Sequence, residues 1–158
     1  SAHVTRAGYQ LHGPLNHFVA SSQDIRRVHR PDGYEEEIGG PEVTSGLDPA
    51  DWPNAVRNRQ PNERPTTIVA LARHRGQVVG AASVSADSDA VWQIGIDVPP
   101  DHRGRRIGAA LTSRLASAVL KQGNVPYYST PVGNIPSIRT ALSAGFYLSW
   151  VDVFAAER

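Results

Sequence analysis

Residues 97–111 read DVPPDHRGRRIGAAL, and the fold turns on how this stretch is parsed. An apolar strand, AVWQIGIDV at 90–98, runs into Pro99-Pro100, which cannot continue a ladder. Beyond the basic stretch, Ile107, Leu111, Leu115 and Val119 recur at helical spacing, with Ala110 and Ala118 on the same side and Gly123 as the stop. Strand, loop and helix are therefore joined by the cluster His102, Arg103, Arg105 and Arg106 around Gly104. Cations at a helix N-terminus are unfavourable by about 0.3–1 kcal/mol each, so a purely structural start favours Asp or Glu. The cluster fits an anion site: unpaired helix amides, small Gly104 and Gly108, and guanidinium groups that bind phosphate bidentately.

Working outward, TTIVALARHRGQVVGAASVSA (66–86) predicts an antiparallel hairpin turning at Arg75-Gly76. In AVWQIGIDV, Trp92, Ile94, Ile96 and Val98 alternate onto one face. VPYYST (125–130) predicts a strand reached through a helix, hence parallel to the 90–98 strand. NIPSIRTALSAGF predicts a helix capped by Asn134, with Pro136 in its first turn and Gly145 past its end. FYLSWVDVFAA predicts one or two closing strands. Upstream, YEEEIGG reads as a short strand after a turn at Pro31-Asp32-Gly33, and DPADWPNAVRNR (48–59) as a short helix strained by Pro53. YQLHGPLNHFVAS (9–21) reads as two extended segments about Gly13-Pro14, and SSQDIRRVHR as a helical turn or two capped by Ser22. The order predicts an α/β fold of the α+β kind, with a mixed, partly antiparallel sheet of six to seven strands flanked by helices.

Composition narrows the function classes. The chain has 158 residues, 40% hydrophobic and 20% charged, enough for one domain with a real core. Net charge is +1, which argues against nucleic acid, and HRGRR lacks the interleaved aromatics of a single-strand binder. No apolar run reaches the roughly 20 residues of a membrane span, and a cytoplasmic location is expected. Cysteine is absent, excluding disulfides and thiolate chemistry; the six histidines show no HxH or HxxxH spacing, so no metal is expected. Lys121 is the only lysine beside fifteen arginines, a bias of base composition. The chain has no methionine even at position 1, which is the expectation for a processed or partial chain with 1–30 as an N-terminal extension before a domain at 31–158.

VPPDHRGRRIGAAL resembles the acetyl-CoA signature R/Q-x-x-G-x-G/A of the GNAT superfamily of N-acetyltransferases. Arg103 and Gly108 match its ends, whereas Arg106 stands where the first glycine belongs. GNIPSIRTALSAGF (133–146) is similar to the family's later motif, an Asn opening a helix closed by Gly-Phe, and the resemblance covers roughly 66–156. It implies an acetyl-CoA cleft between splayed parallel strands, and bacterial relatives with an additional N-terminal region. By the resemblance, main-chain groups of Ile96 and Val98 hold the pantetheine arm. The pyrophosphate meets Arg103, Gly104, Arg105, Arg106, Ile107, Gly108 and Ala109, and Asn134 and Ser137 line the thioester end. The implied partners are acetyl-CoA and an amine acceptor of a small molecule or peptide, attacking the thioester directly. Many relatives carry a tyrosine seven residues after the Asn; here that position is Ala141, which leaves the catalytic acid and base unassigned, with Tyr128 and Asp97 as candidates. Arg106 and Ala141 also support a second reading, a non-catalytic CoA-binding or interaction module. WVDVFAA is expected to pair with a second copy if it forms a sheet edge, giving a homodimer.

Overall fold

The computed structural model describes residues 8–56 and 65–157. The elements run β1 (Tyr9–Val19), β2 (Glu35–Gly39), β3 (Thr66–His74), β4 (Gln77–Ser85), β5 (Val91–Asp97), α1 (Ile107–Lys121), β6 (Val125–Pro131), α2 (Ile135–Ala144) and β7 (Tyr147–Glu157). They build one seven-stranded sheet in the order β2-β3-β4-β5-β6-β1-β7. Every neighbouring pair is antiparallel except β5–β6.

The hairpin β3–β4 turns on Arg75 (φ 51°) and Gly76 (φ 79°), the doubly positive geometry of a two-residue loop. β3 is apolar on both faces because both are covered. Ala70 and Ala72 face the helices, while Val69 and Leu71 pack under the 41–56 segment with Trp52 and Ala55. α1 presses Ile107, Leu111, Leu115 and Val119 onto the sheet, joined by Ile94, Phe18, Tyr128 and Phe146. Its close approach depends on Gly80, where a Cβ would meet Ile107 Cγ2 at 2.7 Å. Trp92, Ile94, Ile96 and Val98 all pack into this helix-side core, as their alternation requires.

The N-terminal part differs from expectation. Within the extension expected at 1–30, residues 9–19 form a strand of the sheet, and residues 1–7 lie outside the described residues. β1 is one strand through Gly13-Pro14, with a register shift there, and lies between β6 and β7. Its partners arrive more than 100 residues later, so no local pattern announces them. Residues 24–30 continue along the helices, where Arg26 N donates to Ala144 O (3.0 Å) and Ser113 Oγ donates to Arg26 O (2.5 Å). The helical turn expected in 21–30 is a single one capped by Ser21 rather than Ser22; Ser21 Oγ accepts from Gln23 N and Asp24 Oδ2 accepts from Ser21 N. The helix expected at 48–59 is, over 48–56, a pair of turns, because Pro53 has no N–H to donate; residues 57–59 lie outside the described residues. FYLSWVDVFAA forms one strand, β7, not two. Among the described residues no helix is long and apolar enough to cross a membrane.

Candidate active site

The site begins where two parallel strands part. β5 and β6 pair only at Val91–Val125, Trp92–Pro126 and Gln93–Tyr127. Beyond them β5 keeps β4, among the described residues, as its one strand partner through Asp97. Its other edge opens onto a cleft of about 940 Å³ whose walls are β5, β6, the start of α1 and one face of α2. Gln93 Nε2 donates to Ser129 Oγ at 2.9 Å at the foot of the split.

Ile96, Val98, Arg103, Gly104, Arg106, Ile107, Gly108, Ala109, Asn134 and Ser137 all line this cleft. α1 begins with no acidic side chain in its first turn and no side-chain cap. Its first intrahelical bond runs from Ala110 N to Arg106 O, so the amides of Ile107, Gly108 and Ala109 precede the helical ladder and face an anion's place. A Cβ on Gly108 would meet Thr140 and Val98 at no less than 3.6 Å, ordinary contact, so Gly or Ala suits that position. Arg106 adopts φ 64°, ψ 9°, the left-handed conformation that explains why the resembled signature has glycine there. Arg103 folds back, its Nε donating to Val98 O at 2.9 Å, which ties the loop to the end of the strand.

Arg105 departs from the expected set. It is not among the lining residues; its Nη1 donates to the Tyr34 hydroxyl at 3.1 Å on the far side of the loop. Neighbouring side chains in a tight loop point apart, and Tyr34 offers a buried acceptor. Asp97, the candidate base, lines the cleft and is engaged with the turn above it. Its carboxylate accepts from Asn54 N (2.8 Å), Asn54 Nδ2 (2.5 Å) and Ala55 N (2.8 Å). With three bonds filled, it clamps the 52–56 turn over β5, where Asn54 O lies so close to Gly95 that a Cβ there would sit 2.1 Å away.

Tyr128 lies on the helix-side face of β6, 3% exposed, with its hydroxyl 2.7 Å from Ser137 Oγ. Burial pushes its pKa above the ordinary phenol value; the Ser137 bond partly offsets this and the Asp97 charge adds to it. Ser137 N is bonded to the Asn134 side chain at 3.2 Å, so the expected cap of α2 also fixes the hydroxyl beside Tyr128. Ala141 is fully buried among Ala144 and Phe146, away from the cleft lining. Sequence reasoning missed Gln93, Ser129, Arg139 and Thr140 on the walls. Gln93, a polar residue inside an apolar strand, was the one legible signal among them.

The model of the acetyltransferase (GNAT) family matches residues 25–146. Among solved structures, a GCN5-related N-acetyltransferase from Kribbella flavida superposes with a TM-score of 0.70 at 15% identity, covering 96% of this chain and 60% of that one. A GCN5-related N-acetyltransferase-like protein from Streptococcus suis gives 0.68 at 17% identity, over 96% and 63%. A tandem GNAT protein from the clavulanic acid biosynthesis pathway gives 0.64 at 19% identity, over 99% and 57%. The chain thus spans about 60% of the length of these structures, and at such identities the likeness speaks for the fold. No curated protein matches the sequence. With its family model spanning most of the length, the chain belongs to the GNAT acetyltransferase family.

Proposed function

We propose that this protein is an acetyl-CoA-dependent N-acetyltransferase, moving acetyl from the thioester to an amine of a small molecule or peptide. The observation that carries the reading is the split between β5 and β6, opening directly onto the uncapped start of α1. An extended pantetheine arm fits the unpaired edge of β5 at Ile96 and Val98, as an added strand would. The pyrophosphate fits the amides of Ile107 to Ala109, with the cleft-lining Arg106 and Arg139 as charge partners.

In the reaction the free amine attacks the thioester carbonyl, a C–N bond forms, and the C–S bond breaks with release of a thiolate. β5 main-chain N–H groups at the split are placed to stabilise the oxyanion. Tyr128 is the proton donor to the departing sulfur: its raised pKa keeps the phenol protonated through the neutral range, and Ser137 orients it. A location in the cytoplasm belongs to the same reading. The second reading, a CoA-binding module without transfer, draws on Ala141, which leaves no tyrosine on α2.

Calorimetric titration with acetyl-CoA, desulfo-CoA and ATP tests the site, and thiol release across a panel of primary amines tests the chemistry. Micromolar binding of both CoA species with little for ATP is expected, followed by amine-dependent thiol release. Absence of acetyl-CoA binding overturns both readings; binding without thiol release from any amine selects the second.

A further inference from the structure

The mechanism above uses one face of β6. On its other face three side chains from three strands meet. His17 of β1 meets both Tyr127 of β6 and Trp150 of β7, in the register His17–Trp150 and Val19–Tyr127, and Tyr127 and Trp150 also stack on each other at 5.8 Å. The three rings stack nearly parallel, His17 and Trp150 at 4.7 Å and 4°, His17 and Tyr127 at 5.7 Å and 14°. The Tyr127 hydroxyl bonds His17 Nδ1. His17 Nε2 lies 2.9 Å from Asp152 Oδ1, an ion-pair contact off the line of a conventional hydrogen bond. His17 is buried at 6% exposure, whereas Asp152 stands half in solvent. At the other end Tyr127 pairs with Gln93 at the last rung before the strands part, and Ser129, beside its hydroxyl, lines the cleft.

A buried imidazole linked on one side to a phenol and on the other to a carboxylate is an unusual way to fill a core position that an apolar ring would fill at lower cost. Its ends are what matter: one reaches the floor of the cleft and the other reaches water. We propose that Tyr127, His17 and Asp152 form a proton relay that takes the first proton of the acceptor ammonium from Ser129 at the cleft floor to solvent across the sheet. The proposal rests on reading the cleft as an acetyl-transfer site.

The proton balance closes. An ammonium acceptor must lose two protons to become an amide. The first passes to the Ser129 hydroxyl as that hydroxyl passes its own to Tyr127 and Tyr127 passes its own to His17 Nδ1. The imidazolium so formed passes its Nε2 proton to the Asp152 carboxylate 2.9 Å away, and that half-exposed carboxylate releases it to water. The second proton, acidified once nitrogen bonds carbon, goes to the leaving thiolate by way of Tyr128. Net, one proton enters solvent for each thiol and amide formed. Burial raises the Tyr127 pKa, so the phenol relays a proton rather than persisting as a phenolate. The charged groups facing the pair are Asp152 from β7 and Asp87 from the β4–β5 connection, both acidic and both adding to the rise that burial gives the Tyr127 phenol.

The test uses the full chain with acetyl-CoA and, separately, methylamine, phenylethylamine, spermidine and a lysine-containing peptide. Tyr127→Phe and His17→Gln should bind acetyl-CoA within twofold of the parent, because neither side chain lines the cleft. At pH 7 both should lose about 100-fold in kcat, the order of a general base's contribution. That deficit should shrink about tenfold per pH unit as free amine replaces ammonium. Nitrogen NMR of His17 should show the Nε2–H tautomer in the neutral ring, with an Nδ1 shift that moves in Tyr127→Phe. Parent-like kcat in both variants, or a deficit constant with pH, overturns the relay, the latter marking a packing role. So does an Nδ1–H tautomer, or a parent protein that binds acetyl-CoA yet releases thiol with none of the four amines. If His17→Gln fails to bind acetyl-CoA through misfolding, Tyr127→Phe, which keeps the ring, decides. Failure of the parent to bind acetyl-CoA instead removes the cleft reading itself.

Discussion

Arg106 concentrates two opposed demands on one residue. Its backbone is left-handed at φ 64°, which for a residue with a Cβ costs about 1–2 kcal/mol, partly offset by the lower chain entropy of non-glycine residues. Its side chain lines the cleft at the start of α1, where a cation is unfavourable until an anion arrives. Arg106→Gly should therefore raise stability by up to about 1 kcal/mol in urea melts and weaken acetyl-CoA binding several-fold by calorimetry. Unchanged affinity would mean that the guanidinium plays no part in holding phosphate. Tyr128 makes a complementary test. Tyr128→Phe keeps the ring against Phe146 and removes only the hydroxyl, so kcat should fall about 100-fold with acetyl-CoA binding retained. The pKa of Tyr128 and that of Tyr127 are both raised by burial, so their protonated forms are favoured in the native state. Their contribution to stability is complete below the unfolded phenol value near 10 and is lost as pH climbs through the higher native values. Melting temperature should thus fall above pH 10, less steeply in the Tyr128→Phe protein.

At the scale of elements, the segment 48–56 shows how a loop becomes a wall. It covers Val69, Leu71 and Ala81 with Trp52 and Ala55, and its last turn is held by the three bonds to Asp97. Asp97→Ala leaves those donors unpaired at a half-buried place, and should cost about 1–3 kcal/mol in denaturant unfolding. Because the carboxylate is a clamp, the pH dependence of kcat should keep its shape even as its height falls; a lost acidic limb would restore Asp97 as the base. This distinction was not legible in the sequence, where Asp97 is one acidic residue at a strand end and Asn54 lies 43 positions away. The hairpin β3–β4, strand β5 and both helices were legible, because each declares itself within its own length by turn residues, alternation or a 3.6-residue period. The direction of Arg105 was not, since a run of arginines carries no sign of which one finds Tyr34.

At the scale of the molecule, non-local pairing sets both the limit of sequence reading and the last prediction. β1 enters the sheet between β6 and β7, and His17 meets Tyr127 and Asp152 only through that insertion. The cleft-side half of the site was therefore readable from motifs, while the opposite face was not. The same insertion pushes β7 to the rim of the sheet, eleven residues long, with Leu148, Trp150, Val151, Val153 and Phe154 all roughly half exposed. A long apolar edge with one row of unpaired main-chain groups is the kind that proteins otherwise blunt with charge, proline or a covering element. Among the described residues Asp152 is the one charged side chain set within its apolar stretch, and it is turned to His17. The edge is expected to associate with a second copy, so sedimentation velocity should show a species of twice the monomer mass growing as concentration rises through the micromolar range. Val151→Lys with Val153→Lys places two like charges on the rim, where both side chains are half exposed and fold stability is little affected. The double variant should sediment as a monomer throughout while still binding acetyl-CoA, because the cleft lies two strands away. A parent protein that stays monomeric at every concentration would show instead that this edge is tolerated unpaired, with Trp150 serving the stack on His17 and Phe154 the stack on His12.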